Sequence, residues 1–87
     1  MKLQLSRKAY RFPGTLDAKQ YRQVVRKIFA LLRDSHPTDS KELKGSPFRR
    51  VDAGEYRIVY RLEKEIVKIT LVGKRNDGEV YKKLERL

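Results

Sequence analysis

Residues 54–62 read Gly54-Glu55-Tyr56-Arg57-Ile58-Val59-Tyr60-Arg61-Leu62. Tyr56, Ile58, Tyr60 and Leu62 alternate with Arg57, Val59 and Arg61, a period of two that specifies a β-strand. Its neighbours complete an antiparallel meander. After the polar turn Glu63-Lys64, the run from Ile66 to Val72 forms the return strand, with Val67, Ile69 and Leu71 predicted on one face. Before it, Pro47 to Val51 forms the preceding strand and turns through Ala53-Gly54.

That turn carries a geometric expectation. With Ala53-Gly54 as a two-residue hairpin loop, Asp52 faces Glu55, Val51 faces Tyr56, and Arg50 faces Arg57. Like charges directly opposite one another are destabilising, so the two arginines need an anion. Asp52, on the same face as Arg50, is an internal candidate; a phosphate arriving as ligand is the functional one. Phe48 falls on this face too and suits packing of a nucleotide base beside the guanidinium groups.

The chain beyond the meander reads Val72-Gly73-Lys74-Arg75-Asn76-Asp77-Gly78-Glu79-Val80-Tyr81. A strand here delivers a glycine, two cations, a polar turn and then a tyrosine. Arg57 is expected roughly opposite Leu71, with Arg75 just beyond, so that three arginines and Tyr81 converge at one end of the sheet. Taken alone, the same residues read equally well as a solvated connection.

Upstream, Leu3 and Leu5 alternate with Lys2, Gln4 and Ser6, the pattern of a short first strand. Ser6 to Phe12 suits a brief helix ended by Pro13-Gly14. The clearest helix follows, with Thr15 as its expected N-cap and Asp17 in its first turn. Its apolar stripe is Leu16, Tyr21, Val24, Val25, Ile28, Phe29 and Leu32, and it stops near Asp34-Ser35-His36-Pro37. Thr38 to Gly45 reads as a polar connection with a short helical piece. A short C-terminal helix is expected over residues 82–87. The fold class is therefore α+β: a small antiparallel sheet packed against N-terminal helices, within one domain spanning residues 1–87.

Charge narrows the partners. Among 87 residues, 22 Lys and Arg stand against 11 Asp and Glu, for a net charge of +11. The first 33 residues carry nine cations and one anion, Asp17. Self-repulsion on this scale opposes folding, and a polyanion offsets it, nucleic acid before an acidic protein or an anionic membrane. Lys19, Arg22 and Arg26 lie on the polar side of the long helix and are candidates for phosphate contact. The chain has no cysteine, no apolar run near the ~20 residues of a membrane span, and no apolar core of a signal peptide at its start. A soluble cytoplasmic protein is expected. His36 is the only histidine and has no second histidine or cysteine to complete a ligand set, so no metal and no cofactor is expected.

Three pieces in order carry a family resemblance: Leu43-Lys44-Gly45, then Gly54-Glu55-Tyr56-Arg57-Ile58-Val59-Tyr60, then Val72-Gly73-Lys74-Arg75 followed by Glu79-Val80-Tyr81. Together they resemble the RelE branch of the RelE/ParE superfamily, the toxins of bacterial type II toxin-antitoxin systems. The resemblance implies an mRNA interferase that cuts messenger in the ribosomal A site and is silenced by a cognate RelB-like antitoxin, acidic or amphipathic. Operator DNA would be met only through the antitoxin complex.

By position, Arg57 matches the family arginine that contacts the scissile phosphate. Arg75 matches the arginine that protonates or neutralises the leaving oxygen, and Tyr81 the tyrosine that stacks on or orients the nucleotide. Arg50 and Phe48 fall where better-known members carry lysines implicated in activating the 2′-hydroxyl. An arginine, with a pKa above about 12, is a poor proton acceptor near neutrality, so the general base is not identified by the match. Phe48 and Lys74 are candidate substrate-binding residues, and Lys19, Arg22 and Arg26 candidate contacts to ribosomal RNA. The implied chemistry is attack of the 2′-hydroxyl on the adjacent phosphate. Two rivals stay open: a ParE-like gyrase poison, a branch without the Arg75 and Tyr81 combination, and a non-catalytic basic nucleic-acid-binding module.

Overall fold

Ser6 converts the first strand into a helix. In the computed structural model, which describes residues 1–75, β1 (Lys2–Leu5) leads directly into α1 (Arg7–Arg11). The Ser6 hydroxyl oxygen accepts the Ala9 N–H at 3.1 Å as the N-cap of α1, and the same hydroxyl donates to the Thr70 carbonyl at 2.6 Å. The predicted helix over Ser6–Phe12 is thus present but shorter. The α-helix ends, as expected, at Pro13-Gly14, with Phe12 as its C-cap, and a 3-10 turn over Phe12–Thr15 carries the chain on.

The long helix α2 spans Ala18–Arg33 and ends near Asp34 as expected. Its N-cap is Asp17, not Thr15: Asp17 Oδ1 accepts the Gln20 N–H at 2.8 Å, while the Thr15 hydroxyl donates to the Phe12 carbonyl. The buried stripe is Val24, Ile28 and Leu31. Phe29 and Tyr21, expected in it, are 56% and 46% exposed. At 3.6 residues per turn Phe29 stands about 140° round the helix from Val24, whereas Leu31 lies within about 20° of it.

The sheet has five strands in the order β1-β5-β4-β3-β2, with β2 at Lys41–Glu42, β3 at Phe48–Ala53, β4 at Tyr56–Glu63 and β5 at Ile66–Lys74. The β3-β4-β5 meander is antiparallel, but β1 lies parallel to β5, so the sheet is mixed. The helical piece expected within Thr38 to Gly45 is absent. This polar segment instead forms turns and a two-residue edge strand, with Lys41 paired to Arg50 and Glu42 to Arg49. Arg49 anchors it, donating to Ser40 Oγ at 2.9 Å and to Glu42 Oε1 at 3.3 Å.

One face of the sheet makes the core. Val51, Ala53, Tyr56, Ile58, Tyr60, Val67, Ile69 and Val72 pack under Ala9, Val24, Ile28 and Leu31. Tyr60 is fully buried, and its hydroxyl donates to the Ser35 carbonyl at 2.9 Å, as a phenol deep in a core must find an acceptor. The rings of Phe12 and Tyr56 meet edge to face at 5.7 Å.

Two register details differ from expectation. The β3-β4 loop is Gly54-Glu55, not Ala53-Gly54, because Gly54 takes the left-handed conformation (φ +61°) and buried Ala53 pairs with Tyr56. Moving the loop by one residue moves the pairing by two, so faces are kept and partners change: Asp52 faces Arg57, and Arg50 faces Val59. In β5, Val59 pairs with Leu71 while Tyr60 pairs with Ile69, leaving Thr70 as a bulge. Leu71 therefore leaves the face of Val67 and Ile69 and packs with Val59, Leu43 and Phe48 on the opposite side. The expected C-terminal helix and Tyr81 lie outside the described residues. Among the described residues no helix is long and apolar enough to cross a membrane.

Candidate active site

The sheet face turned away from α2 carries the cations. Strand alternation places Asp52, Arg57 and Gly73 in one row across β3, β4 and β5, and Arg50, Val59 and Leu71 in the next. Arg57 faces Gly73, not Leu71 as expected: the β4-β5 loop is Lys64-Glu65 rather than Glu63-Lys64, since Glu63 pairs with Ile66, and the bulge at Thr70 then advances β5 by one residue more. The bulge has a chemical consequence. It turns Leu71 and Gly73 toward the open face and lets Arg75, just past the strand, reach the same carboxylate as Arg57. Ser6 ties down the Thr70 carbonyl, so the N-terminal strand-to-helix junction supports this end of β5.

Asp52 is the centre of the cluster. Its Oδ1 accepts from Arg57 Nε at 2.8 Å, its Oδ2 from Arg57 Nη2 at 3.4 Å, and Arg75 Nη1 stands 3.6 Å from Oδ2. The hydrogen bond from Arg57 holds the Asp52 carboxyl below its ordinary range. Partial burial opposes this, and the charges of Arg57, Arg75 and Arg50 reinforce it. The directly opposed pair Arg50–Arg57 does not exist; the anion the sheet requires is placed opposite Arg57 by register. Arg57 is 15% exposed and held in one geometry, while Arg75 is exposed at the strand end. A carboxylate gripped by two guanidinium groups marks the spot as suited to a planar or tetrahedral oxyanion.

The other candidates are distributed unevenly. Arg50 and Phe48 share the open face, with Phe48 half-buried against Val59 and Leu71. Lys74 pairs with Tyr56 and so belongs to the opposite, helix-side alternation at the strand end, apart from the Asp52 row. His36 lies exposed in the loop after α2, its Nδ1 3.1 Å from the Ser35 hydroxyl. Thr70 and Ser6, which set the orientation of the Arg75 end, were not among the candidates. Ser6 is recognisable as a cap, but its second bond spans 64 positions and leaves no local trace.

A family model described as "ParE toxin of type II toxin-antitoxin system, parDE" matches residues 4–78. The chain belongs to the RelE/ParE superfamily of type II toxins. Its fold is that of RelE. The RelE–RelB complex from Pyrococcus horikoshii superimposes with a TM-score of 0.77 at 19% identity, covering 87% of this chain and 96% of that one. The isolated Escherichia coli RelE toxin gives 0.74 at 24% identity over 98% and 95%. A RelBE toxin-antitoxin complex from Mycobacterium tuberculosis gives 0.75 at 25% identity over 87% and 92%. No curated protein sequence matches the chain significantly.

In this toxin the helix cations and the sheet cations occupy different sides. Lys19, Arg22 and Arg26 are exposed on α2, whose buried side covers the sheet face opposite to Arg57. They are not isolated from the site. A shallow notch lined by Gln23, Arg26, Lys27, Ala53 and Asp52 lies between the helix and the turn end of β3. Gly54 borders it, and a Cβ there would stand 2.7 Å from the Gln23 amide oxygen, so the turn also needs glycine for space.

Proposed function

We propose that this toxin is a ribosome-dependent messenger endoribonuclease acting by metal-free attack of the RNA 2′-hydroxyl on the scissile phosphate. The observation that carries the reading is the convergence of Arg57 and Arg75 on one anion at the open face. In the proposed mechanism Arg57 holds the scissile phosphate and Arg75 neutralises or protonates the leaving oxygen. Arg50 adds positive potential, Tyr81 and Phe48 stack on nucleotides, and Lys74 contacts the strand where it leaves the site. Catalysis of this kind rests on positioning and on preorganised cations aimed at developing charge.

Asp52 gives the ribosome a physical role. A phosphate entering the site competes with a carboxylate that Arg57 already binds, so free RNA is a poor ligand and RNA held in place by the ribosome a better one. The basic helix face of Lys19, Arg22 and Arg26 rests on ribosomal RNA in this reading. A cognate RelB-like antitoxin, acidic or amphipathic, silences the toxin, and operator DNA is met through that complex. The solved relatives from Pyrococcus horikoshii and Mycobacterium tuberculosis, complexes with antitoxins, support this partner. The proposed compartment is the bacterial cytoplasm.

The test is to induce the protein in bacteria and map the 5′ ends of fragments from a translated messenger, with Arg75→Ala and a translation-blocked message as controls. Cuts within the reading frame that require both translation and Arg75 are expected. A fully toxic Arg75→Ala would overturn the assignment. A second reading, inhibition of DNA gyrase, is favoured by the description of the matching family model. Toxicity without messenger fragments selects it.

A further inference from the structure

A second basic site lies on the open face beyond the Asp52 row. Phe48 on β3, Arg61 on β4, Lys68 on β5 and Gln4 on β1 are consecutive cross-strand partners, so their side chains stand in a single line. They border a hollow of about 360 Å³ that also touches Ser6 and Thr70. The function proposed above assigns nothing to Arg61 and Lys68. Both cations share one carboxylate: Glu63 Oε2 is 2.7 Å from Lys68 Nζ and 3.2 Å from Arg61 Nη2. Among the described residues, two cations against one anion give the hollow a net positive charge. Lys68, first by its hydrogen bond and then by its charge, holds the Glu63 carboxyl below its ordinary range.

Geometry relates this hollow to the arginine cluster. Arg57 and Arg61 are four residues apart on the same face of β4, about 13 Å at roughly 3.3 Å per residue. A single strand of RNA covers that distance in roughly two to four nucleotides, depending on how far it is stacked. Between the two sites lie Arg50 and the apolar pair Val59 and Leu71, a floor with no anion among the described residues. Phe48 provides an aromatic ring at the far end, partly packed against that floor and partly lining the hollow. Aromatic and cationic groups alternating along a groove are what a sequence-tolerant single-strand site requires.

We infer that Phe48, Arg61 and Lys68 form a second RNA subsite, which binds a backbone phosphate and its base a few nucleotides from the phosphate held at Arg57. The inference rests on the RNA-cleavage reading and adds where the strand runs: across the open face, from Arg75 and Arg57 toward β1. Glu63 acts here as Asp52 acts at the first site, an internal anion that the RNA displaces.

The test is binding of 2′-O-methyl RNA, which lacks the attacking hydroxyl, as a dinucleotide and as a hexanucleotide, followed by fluorescence anisotropy. The double variant Arg61→Gln/Lys68→Gln is expected to bind the hexanucleotide about 5- to 10-fold more weakly, with a log–log salt slope shallower by about 0.7 to 1.4. Its dinucleotide affinity is unchanged. Glu63→Gln moves the other way, tightening the hexanucleotide alone, an outcome that loss of folding does not produce. Phe48→Leu keeps the apolar floor and weakens the hexanucleotide roughly fivefold or more. Wild-type affinity in the double variant at both lengths overturns the subsite while leaving the cleavage reading in place. The measurement is made at low salt, where phosphate contacts are strongest and offset the competition from Asp52; if the wild type still binds neither oligonucleotide, the subsite is overturned outright. The in-cell fragment map then decides the cleavage reading separately.

Discussion

The two faces of the sheet are made by the same three strands and obey opposite rules. On the helix side, Val51, Ile58, Tyr60, Val67 and Ile69 are buried and shape decides what is tolerated. On the open side, two carboxylates organise four cations, Asp52 between Arg57 and Arg75, and Glu63 between Arg61 and Lys68. The difference teaches where this fold keeps stability and where it keeps chemistry. Substitutions on one face should be read in unfolding free energy, and those on the other in activity and ligand affinity.

The largest expected effect tests the open face. Arg57→Ala should lower messenger cleavage by about 10²- to 10³-fold, the usual loss for a preorganised electrostatic contact. A circular dichroism spectrum like that of the wild type would confirm that the fold survives. If Arg57→Ala instead abolishes folding, the open face is structural and the contrast fails. Next comes a matched pair, Val51→Ala and Val59→Ala, both at 0% exposure on opposite faces of adjacent strands. Val51 sits in the large core and should cost roughly 2–3 kcal/mol in urea unfolding; Val59, in a small cluster with Leu71, roughly 1 kcal/mol. Equal costs would mean that the open face has a core of its own. Smaller again, Asp17→Ala removes the cap of α2 and should cost about 1 kcal/mol without changing RNA binding.

How legible each face was follows from the same physics. Alternation in Tyr56, Ile58, Tyr60 and Leu62 is a local signal, so the strand, its faces and the side bearing Arg50, Arg57 and Phe48 could be read directly. Partners could not, because they depend on which residue opens the turn. Gly54 was visible, but its left-handed conformation at the first loop position was not. The bulge was less legible still. Ile66 to Val72 is apolar enough to read without interruption, and the extra residue Thr70 is held by Ser6 from the far end of the chain. The parallel pairing of β1 with β5 is likewise the product of a distant contact, whereas β2 pairs with nearby β3 but, at two residues, is too short to show an alternation. Asp52 was legible as a candidate anion; its grip on both Arg57 and Arg75 needed the corrected register and the bulge.

The smallest predicted effect tests the anion at the centre of the open face. The hydrogen bond from Arg57, with the surrounding guanidinium charges, holds the Asp52 carboxyl below its ordinary value in the folded state. As pH falls, the unfolded chain therefore takes up this proton before the folded one does. The pairing contributes its full stability above the ordinary carboxylate range near pH 4, and loses it as pH falls through the lowered folded value. Wild type and Asp52→Asn should thus differ in melting temperature at neutral pH, with the wild type higher, and converge in acid. Differencing the two proteins cancels the titration of the other carboxylates. A gap unchanged down to about pH 2 would show that Asp52 acts through shape rather than charge. In that case an arriving phosphate would not be competing with it for Arg57, and the proposed dependence on the ribosome would have to rest on another part of the toxin.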